Sequence, residues 1–411
     1  MVQVLQWCTG RQDLIVAYIS QLLVPLVAIS IGVISSKSLG IEEYGEFVAI
    51  ATITSMVTNI IGAQTGASMV FFKTRVGCFQ LWREVIKIEI LLVVILLVIS
   101  ALSSFFDGFM AIISGNFNEF YVYVLYGSVL FLQGSVQGII LAEVKYFRMA
   151  FISIVASLVK IVTLYLFIGD FTLMRLVLVF LISSVVELLL YYISAYSMLM
   201  VSRLEQGVVE KPLKKEIYYY VFKDFVSATL KAGNKKIDML VLVLFFSKDV
   251  VGYFELLKKF FSLALFIVTP FSKLLLPKIR IAIENGNKIS NLIVKSSLFI
   301  GVFYVISLAP IGFVFNYFYP EFIIESYSMQ LIFSAVVVSV LPAITWWARP
   351  VAMSIDPSIS LKANFLHLLL QLGLLFPLTV FFSLNGFMFA MFVSSFMLVF
   401  YWFYILKARV H

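Results

Sequence analysis

Residues 14–36, LIVAYISQLLVPLVAISIGVISS, form an apolar run without one charged side chain. Crossing the roughly 30 Å hydrocarbon core of a bilayer takes about 20 apolar residues in helical form, and this run has that length. It is too long for the apolar centre of a secretory leader and lacks a convincing small-x-small cleavage site. It therefore reads as a retained first transmembrane helix. The length, without alternation of polarity, excludes the short strands of a membrane barrel.

Working outward, the pattern recurs to the end of the chain. Further runs lie near 47–72, 85–106, 121–143, 149–169, 173–200, 217–246, 251–276, 291–315, 326–347, 361–383 and 387–406. The total is about twelve spans. Of the 411 residues, 62% are hydrophobic and 13% charged. That charged share is about half of what a water-soluble domain carries, too little polar surface to cover a soluble fold of this size. Cys8 and Cys78 lie far apart, and the histidines are His367 and His411. No disulfide framework, metal site or redox pair follows, and no catalytic set is legible. The fold class is an all-α polytopic membrane protein.

Loop charges set the orientation. Lys73, Arg75 and Arg83, then Lys145 and Arg148, then Arg203, Lys211, Lys214 and Lys215 fall on one side; Lys278, Arg280, Lys288, Arg349, Lys407 and Arg409 continue that set. The other side carries Lys37, Lys248 and Arg175. Positive loops stay in the cytoplasm, so both termini are expected there, with an even number of spans. The formal charge of +8 then needs no nucleic-acid partner.

The polar stretch 203–216 divides the chain into an N-terminal six-helix lobe, 1–202, and a C-terminal one, 217–411. Ser36-Lys37 leading to Tyr44-Gly45-Glu46-Phe47 is echoed by Ser247-Lys248 leading to Val251-Gly252-Tyr253-Phe254. Both echoes follow the first helix of their half. Equal orientation of the halves implies a parallel repeat about a pseudo-two-fold axis along the membrane normal.

Ionisable groups inside spans are costly unless they face protein or water. In the seventh run Lys223, Ser227, Lys231, Lys235 and Asp238 recur at three- and four-residue steps, one stripe on one face. The eighth carries Glu255, Lys259, Ser262, Thr269 and Lys273, with Lys258 beside them. At 1.5 Å per residue, Lys235 lies about 16 Å from the outer end, while Asp238 lies about 12 Å down with Lys259 at a similar depth. Those two could pair, and Lys231 and Lys235 are left without an obvious acidic neighbour. Lys231, Lys235, Lys236, Lys258 and Lys259 outnumber Asp238 and Glu255, and such an excess persists only beside water or an anion. The structural alternative, that these lysines snorkel or form ion pairs, fits Lys223, Lys258 and Lys273 best. The first half holds a smaller set: Ser153, Ser157 and Lys160 in the fifth run, and Ser184, Glu187, Tyr191 and Ser194 in the sixth. Lys160 and Glu187 form either a structural pair or a site. Gly62 and Gly66, and Gly134-x-x-x-Gly138 flanked by Gln133 and Gln137, read as helix packing. Asn364, His367 and Gln371 form a polar stripe in the eleventh run, with His367 a hydrogen-bonded packing residue.

Leu39-Gly40-Ile41-Glu42-Glu43-Tyr44-Gly45-Glu46-Phe47 and Val251-Gly252-Tyr253-Phe254-Glu255-Leu256-Leu257-Lys258-Lys259, continuing through Pro270 to Leu275-Leu276-Pro277-Lys278, carry a resemblance. Together with helix count and duplication, the chain resembles the polysaccharide-flippase (Wzx-like) branch of the multidrug/oligosaccharidyl-lipid/polysaccharide exporter superfamily. That resemblance implies a V-shaped bundle with a central cavity in a bacterial inner membrane. It also implies an undecaprenyl-pyrophosphate-linked oligosaccharide as substrate, such as an O-antigen repeat unit, moved from the cytoplasmic to the periplasmic leaflet, and other polysaccharide-assembly proteins as partners. Ammonium groups bind a compact pyrophosphate well as point charges. Lys231, Lys235, Lys236, Lys258, Lys259 and Lys160 are the candidate headgroup ligands. Glu187, Asp238 and Glu255 are candidates for coupling a proton or sodium ion; no other cofactor is expected. A multidrug or metabolite antiporter of the same superfamily is the nearest alternative, although organic-cation export favours an acidic cavity. An O-antigen polymerase or ligase, a membrane enzyme, would carry a large outer loop, and the longest here are Asp107 to Phe120 and Asn316 to Glu325.

Overall fold

A computed structural model of the chain describes residues 23–61, 65–72, 77–103, 105–106, 112–113, 115–143, 145–204, 211–263, 290–345, 347–348 and 357–409. Among them the regular structure is helical. The helices are α1 (Leu23–Leu39), α2 (Ile41–Ile61), α3 (Thr65–Phe72), α4 (Cys78–Ser103), α5 (Phe117–Ala142), α6 (Tyr146–Phe167), α7 (Leu173–Leu204), α8 (Lys211–Phe245), α9 (248–263), α10 (Ser290–Phe318), α11 (Ser328–Ile344) and α12 (Pro357–Arg409). Six of the described helical stretches are long and apolar enough to cross a membrane. The expected run 47–72 comprises α2 and α3. The expected spans 361–383 and 387–406 share α12, which is kinked at Ser383, where φ is 54°.

The chain forms two compact units, Met1–Ala232 and Gly233–His411. In the first, α5 is central and packs on α2, α3, α4, α6 and α7. Its buried face sets Gly127, Ser128, Ser135 and Gly138 among larger residues such as Tyr123 and Ile139. Small residues suit that place, because helices in lipid associate by close packing and hydrogen bonding rather than by hiding apolar surface from water. A Cβ added to Gly138 would stand 2.6 Å from the Gly66 carbonyl oxygen. Helix α3 therefore lies backbone to backbone on α5, and the Gly134-x-x-x-Gly138 spacing serves packing.

Helix α4 is inside out relative to a soluble helix. Gln80, Glu84, Glu89 and Ser100 are buried, while Leu91 and Val98 are more than half exposed. Its apolar face is exposed and its polar face meets protein, the arrangement a bilayer favours.

Gly40, between α1 and α2, has φ +87°, a left-handed conformation that glycine adopts without strain. The turn brings Tyr44 and Phe47 inward, both buried. The Phe47 ring stacks on Phe180 at 5.4 Å, and Asn116 donates a 2.9 Å hydrogen bond to Glu46. In the second unit Tyr253 and Phe254 are buried in the same way. Tyr253 packs against Phe322 at 4.8 Å, and Phe254 meets Phe387 edge-on at 5.7 Å. The echoed sequence thus supplies aromatic anchors at the start of the second helix of each half. Helix α11 packs between α10 and α12.

Candidate functional site

The second unit holds a buried polar cluster on three helices. Asp238 of α8 is 3% exposed. Its Oδ2 accepts from Lys258 Nζ of α9 at 2.6 Å, and its Oδ1 accepts from the Met239 N–H at 2.8 Å. Glu255 and Lys259, one turn apart on α9, approach to 3.6 Å. The pairing anticipated from depth alone, Asp238 with Lys259, is therefore replaced by Asp238 with Lys258. Adjacent residues on a helix point about 100° apart, so depth does not choose between them. Lys236 stands in the field of Glu255, Lys258, Asp238 and Lys259. The described cluster thus carries one more ammonium than carboxylate.

Helix α12 closes the other side. Asn234 donates to the Asn364 carbonyl at 2.8 Å, and Gly233 lies against Leu368. His367 is within electrostatic reach of Asp238. Asn364 and His367 of that stripe thus lie toward α8. The buried Asn234 Oδ1, His367 Nε2 and Gln371 Oε1 have no hydrogen-bond partner among the described residues. His367 was expected to be hydrogen-bonded through packing; its Nε2 is not. Asn234 escaped the sequence reading, although it sits four residues before Asp238, on the same helical face. Among the described residues no group of three His, Cys, Asp or Glu side chains gathers to hold a metal. The backbones of Lys223, Lys231 and Lys235 belong to α8; their side chains, and Thr269 and Lys273, lie outside the described residues.

An apolar groove lies elsewhere in this unit, along α10, α11 and the end of α12. Its volume is about 420 Å³, and Leu298, Val302, Ile306, Val340, Ile344 and Phe403 line it.

In the first unit, Lys160 of α6 and Glu187 of α7 act on one another electrostatically. The Lys160 ammonium stands 5.6 Å from the Phe180 ring centroid. The Tyr191 hydroxyl is hydrogen-bonded with Ser153, Glu187 and Gln137, and the Gln133 amide donates to the Ser184 carbonyl at 3.0 Å. Residues of both sequence stripes and the glutamines of α5 thus meet in polar contacts between α5, α6 and α7.

Two acidic residues were passed over in the sequence. Glu84, 2% exposed, pairs with Lys87 at 3.1 Å and Lys214 at 3.3 Å. Glu89, 0% exposed, accepts from Thr65 Oγ1 at 2.5 Å and from Ser135 N and Oγ at 2.6 and 2.8 Å. They are the only acids between positions 47 and 106, and that isolation was the available signal.

No protein-family model matches the chain, and no curated protein matches it. Solved structures do. An inward-facing multidrug resistance MATE family transporter of the MOP superfamily superposes with a TM-score of 0.73 at 13% identity, covering 96% of this chain and 98% of its own. The lipid II flippase MurJ, inward closed, gives 0.72 at 15% identity, covering 96% and 87%. The MATE multidrug transporter DinF-BH gives 0.65 at 16%, covering 97% and 95%. The chain is a multi-pass helical membrane protein with the fold shared by these transporters and this flippase.

Proposed function

We propose that the protein flips an undecaprenyl-pyrophosphate-linked oligosaccharide, such as an O-antigen repeat unit, from the cytoplasmic to the periplasmic leaflet by alternating access. The observation that carries this reading is the half-buried set Lys236, Lys258 and Lys259, which exceeds the described carboxylates beside it by one charge. A buried ammonium beyond its paired carboxylates suits an anionic guest. Lys231 and Lys235 extend the set along α8, and Lys160 offers a further cation in the first unit. The fold shared with a lipid II flippase supports a lipid-linked cargo. The apolar groove of α10–α12 suits a polyprenyl chain. Glu187, Asp238 and Glu255 are the proposed coupling carboxylates, and both termini are proposed to be cytoplasmic.

The test is glycan display in cells lacking their own flippase, with membrane abundance measured for each variant. Lys231→Arg and Lys235→Arg should keep much of the activity, and Lys→Gln at either position should lose most of it at normal protein level. Wild-type display by the Lys231→Ala, Lys235→Ala double variant would end the anion reading. The fold shared with multidrug transporters favours a second reading, antiport of a small organic solute. Drug resistance conferred by the chain without glycan display would select it.

A further inference from the structure

Glu89 lies midway along α4, buried in the first unit, and has no part in the proposed headgroup site. Among the described residues its carboxylate is held by neutral donors alone. Oε1 accepts the Ser135 N–H and the Thr65 hydroxyl, and Oε2 accepts the Ser135 hydroxyl. Lys87 and Lys214 are engaged by Glu84. From α7 the titratable side chain facing Glu89 is Tyr192. Helices α3 and α5 present the two hydroxyls, and among the described residues α2 presents no titratable group to it.

A fully desolvated carboxylate with no counter-cation among the described residues is among the costliest groups a membrane protein can hold. The chain has made room for this one. A Cβ on Gly134 would stand 3.1 Å from Oε1 and would overlap Thr65 Oγ1. Glycine at 134 thus lets the carboxylate reach the amide of the next residue, and 0% exposure leaves no water in its place.

The donor set also says which ligand it takes. The Ser135 N–H is fixed and points at Oε1, so that oxygen must remain an acceptor. The Ser135 hydroxyl can turn, becoming the acceptor of a proton carried on Oε2, while Thr65 continues to donate to Oε1. The site therefore tolerates both the charged and the neutral carboxyl after rotation of one hydroxyl. A metal cation at Oε1 would meet the N–H dipole head-on.

We propose that Glu89 is a reversible proton-binding site that latches α3. Charged, it ties Thr65 of α3 and Ser135 of α5 to α4. Taking one proton from water onto Oε2, it becomes a neutral acid whose remaining bonds are no longer charge-assisted. Such bonds are about half as strong. The described residues of α3, Thr65–Phe72, rest on α5 through backbone contact at Gly66 and Gly138, so the loosening at Thr65 bears on the start of this stretch. This inference does not rest on the identity of the transported molecule.

The experiment is hydrogen exchange across residues 65–72 in the full chain in lipid nanodiscs, corrected for the intrinsic pH dependence. Acid-minus-alkaline infrared difference spectra accompany it. In the unmodified chain, α3 protection should fall on the order of tenfold on acidification, together with the appearance of a protonated-carboxyl band. Glu89→Gln should show the low protection at every pH and lose the band. Protection in the unmodified chain that is flat with pH, or a band unchanged in Glu89→Gln, overturns the proposal. If Glu89→Gln does not accumulate, Thr65→Val, which keeps the carboxyl, decides: its protection midpoint should move, and an unmoved midpoint overturns the latch.

Discussion

The contact between α3 and α5 makes a prediction in which one substitution has opposite signs at two places. In Gly138→Ala the new methyl would lie 2.6 Å from the Gly66 carbonyl oxygen, 2.7 Å from Gly66 Cα and 2.7 Å from Met69 Cβ. Reaching ordinary contact at 3.4 Å requires one helix to retreat by about 0.8 Å. The obstacles are backbone and Cβ atoms, which no rotamer change can move aside. Overpacking of this kind costs about 1–3 kcal/mol, or about a five- to 150-fold loss of folded population. Gly312, inside α10, has nothing within 4 Å of an added Cβ. There alanine should stabilise by roughly 0.5–1 kcal/mol, because it restricts the unfolded chain and favours helix. The assay is reversible unfolding in mixed lipid–detergent micelles, read by tryptophan fluorescence and circular dichroism. Equal stability of Gly138→Ala and the unmodified chain, or an equal loss in both variants, would refute the packing argument.

Other perturbations probe the second unit. Asp238→Ala leaves Lys258 buried without its partner and should cost about 3–5 kcal/mol, whereas the Asp238→Leu, Lys258→Met double variant should unfold near the unmodified chain; the same unfolding assay compares them. At the α8–α9 turn, burial pushes the Asp249 carboxyl up. Hydrogen bonds from Ser247, Tyr327 and the Val250 and Asp249 N–H groups outweigh it and hold the group below the usual carboxylate range. A depressed carboxyl stabilises above its unfolded value, about 3.9, and that contribution is lost as pH falls through the folded value. Tyr327→Phe should therefore lower the melting temperature at neutral pH, with the gap closing in strong acid; a gap constant across pH would contradict this. His367→Ala should alter stability while leaving the pH profile of transport in place, and a displaced midpoint would make His367 a coupling residue.

The spans were legible because lipid leaves backbone few options: every polar main-chain group must be satisfied within a helix, and the bilayer sets its length. Within one helix the spacing of charges was legible too, as Glu255 and Lys259 stand one turn apart on α9. Choices between helices were not. Asp238 meets Lys258 rather than its neighbour because of rotation about α9, which no single-chain periodicity records. Glu89 was hidden for a different reason. Its partners are two hydroxyls and a backbone amide, residue types common in any span, and they come from 24 and 46 positions away.

Helix α8 is continuous from Lys211 to Phe245, and its early turns belong to the first unit. Ile217 and Val221 sit in the core with Met69, Phe72 and Tyr191, Tyr220 stacks on Phe71 at 4.7 Å, and Lys214 answers the buried Glu84. Anyone dividing this chain into separately expressed fragments meets a consequence of that continuity. A cut in the polar stretch would hand the second fragment the cation and the aromatic that complete the first. The N-terminal fragment would keep Glu84 with Lys87 alone, a lysine more than half exposed, and an open seat where Tyr220 belongs. Two such fragments would have to find one another before either finished folding, so a gene split there should behave as an obligate complementing pair.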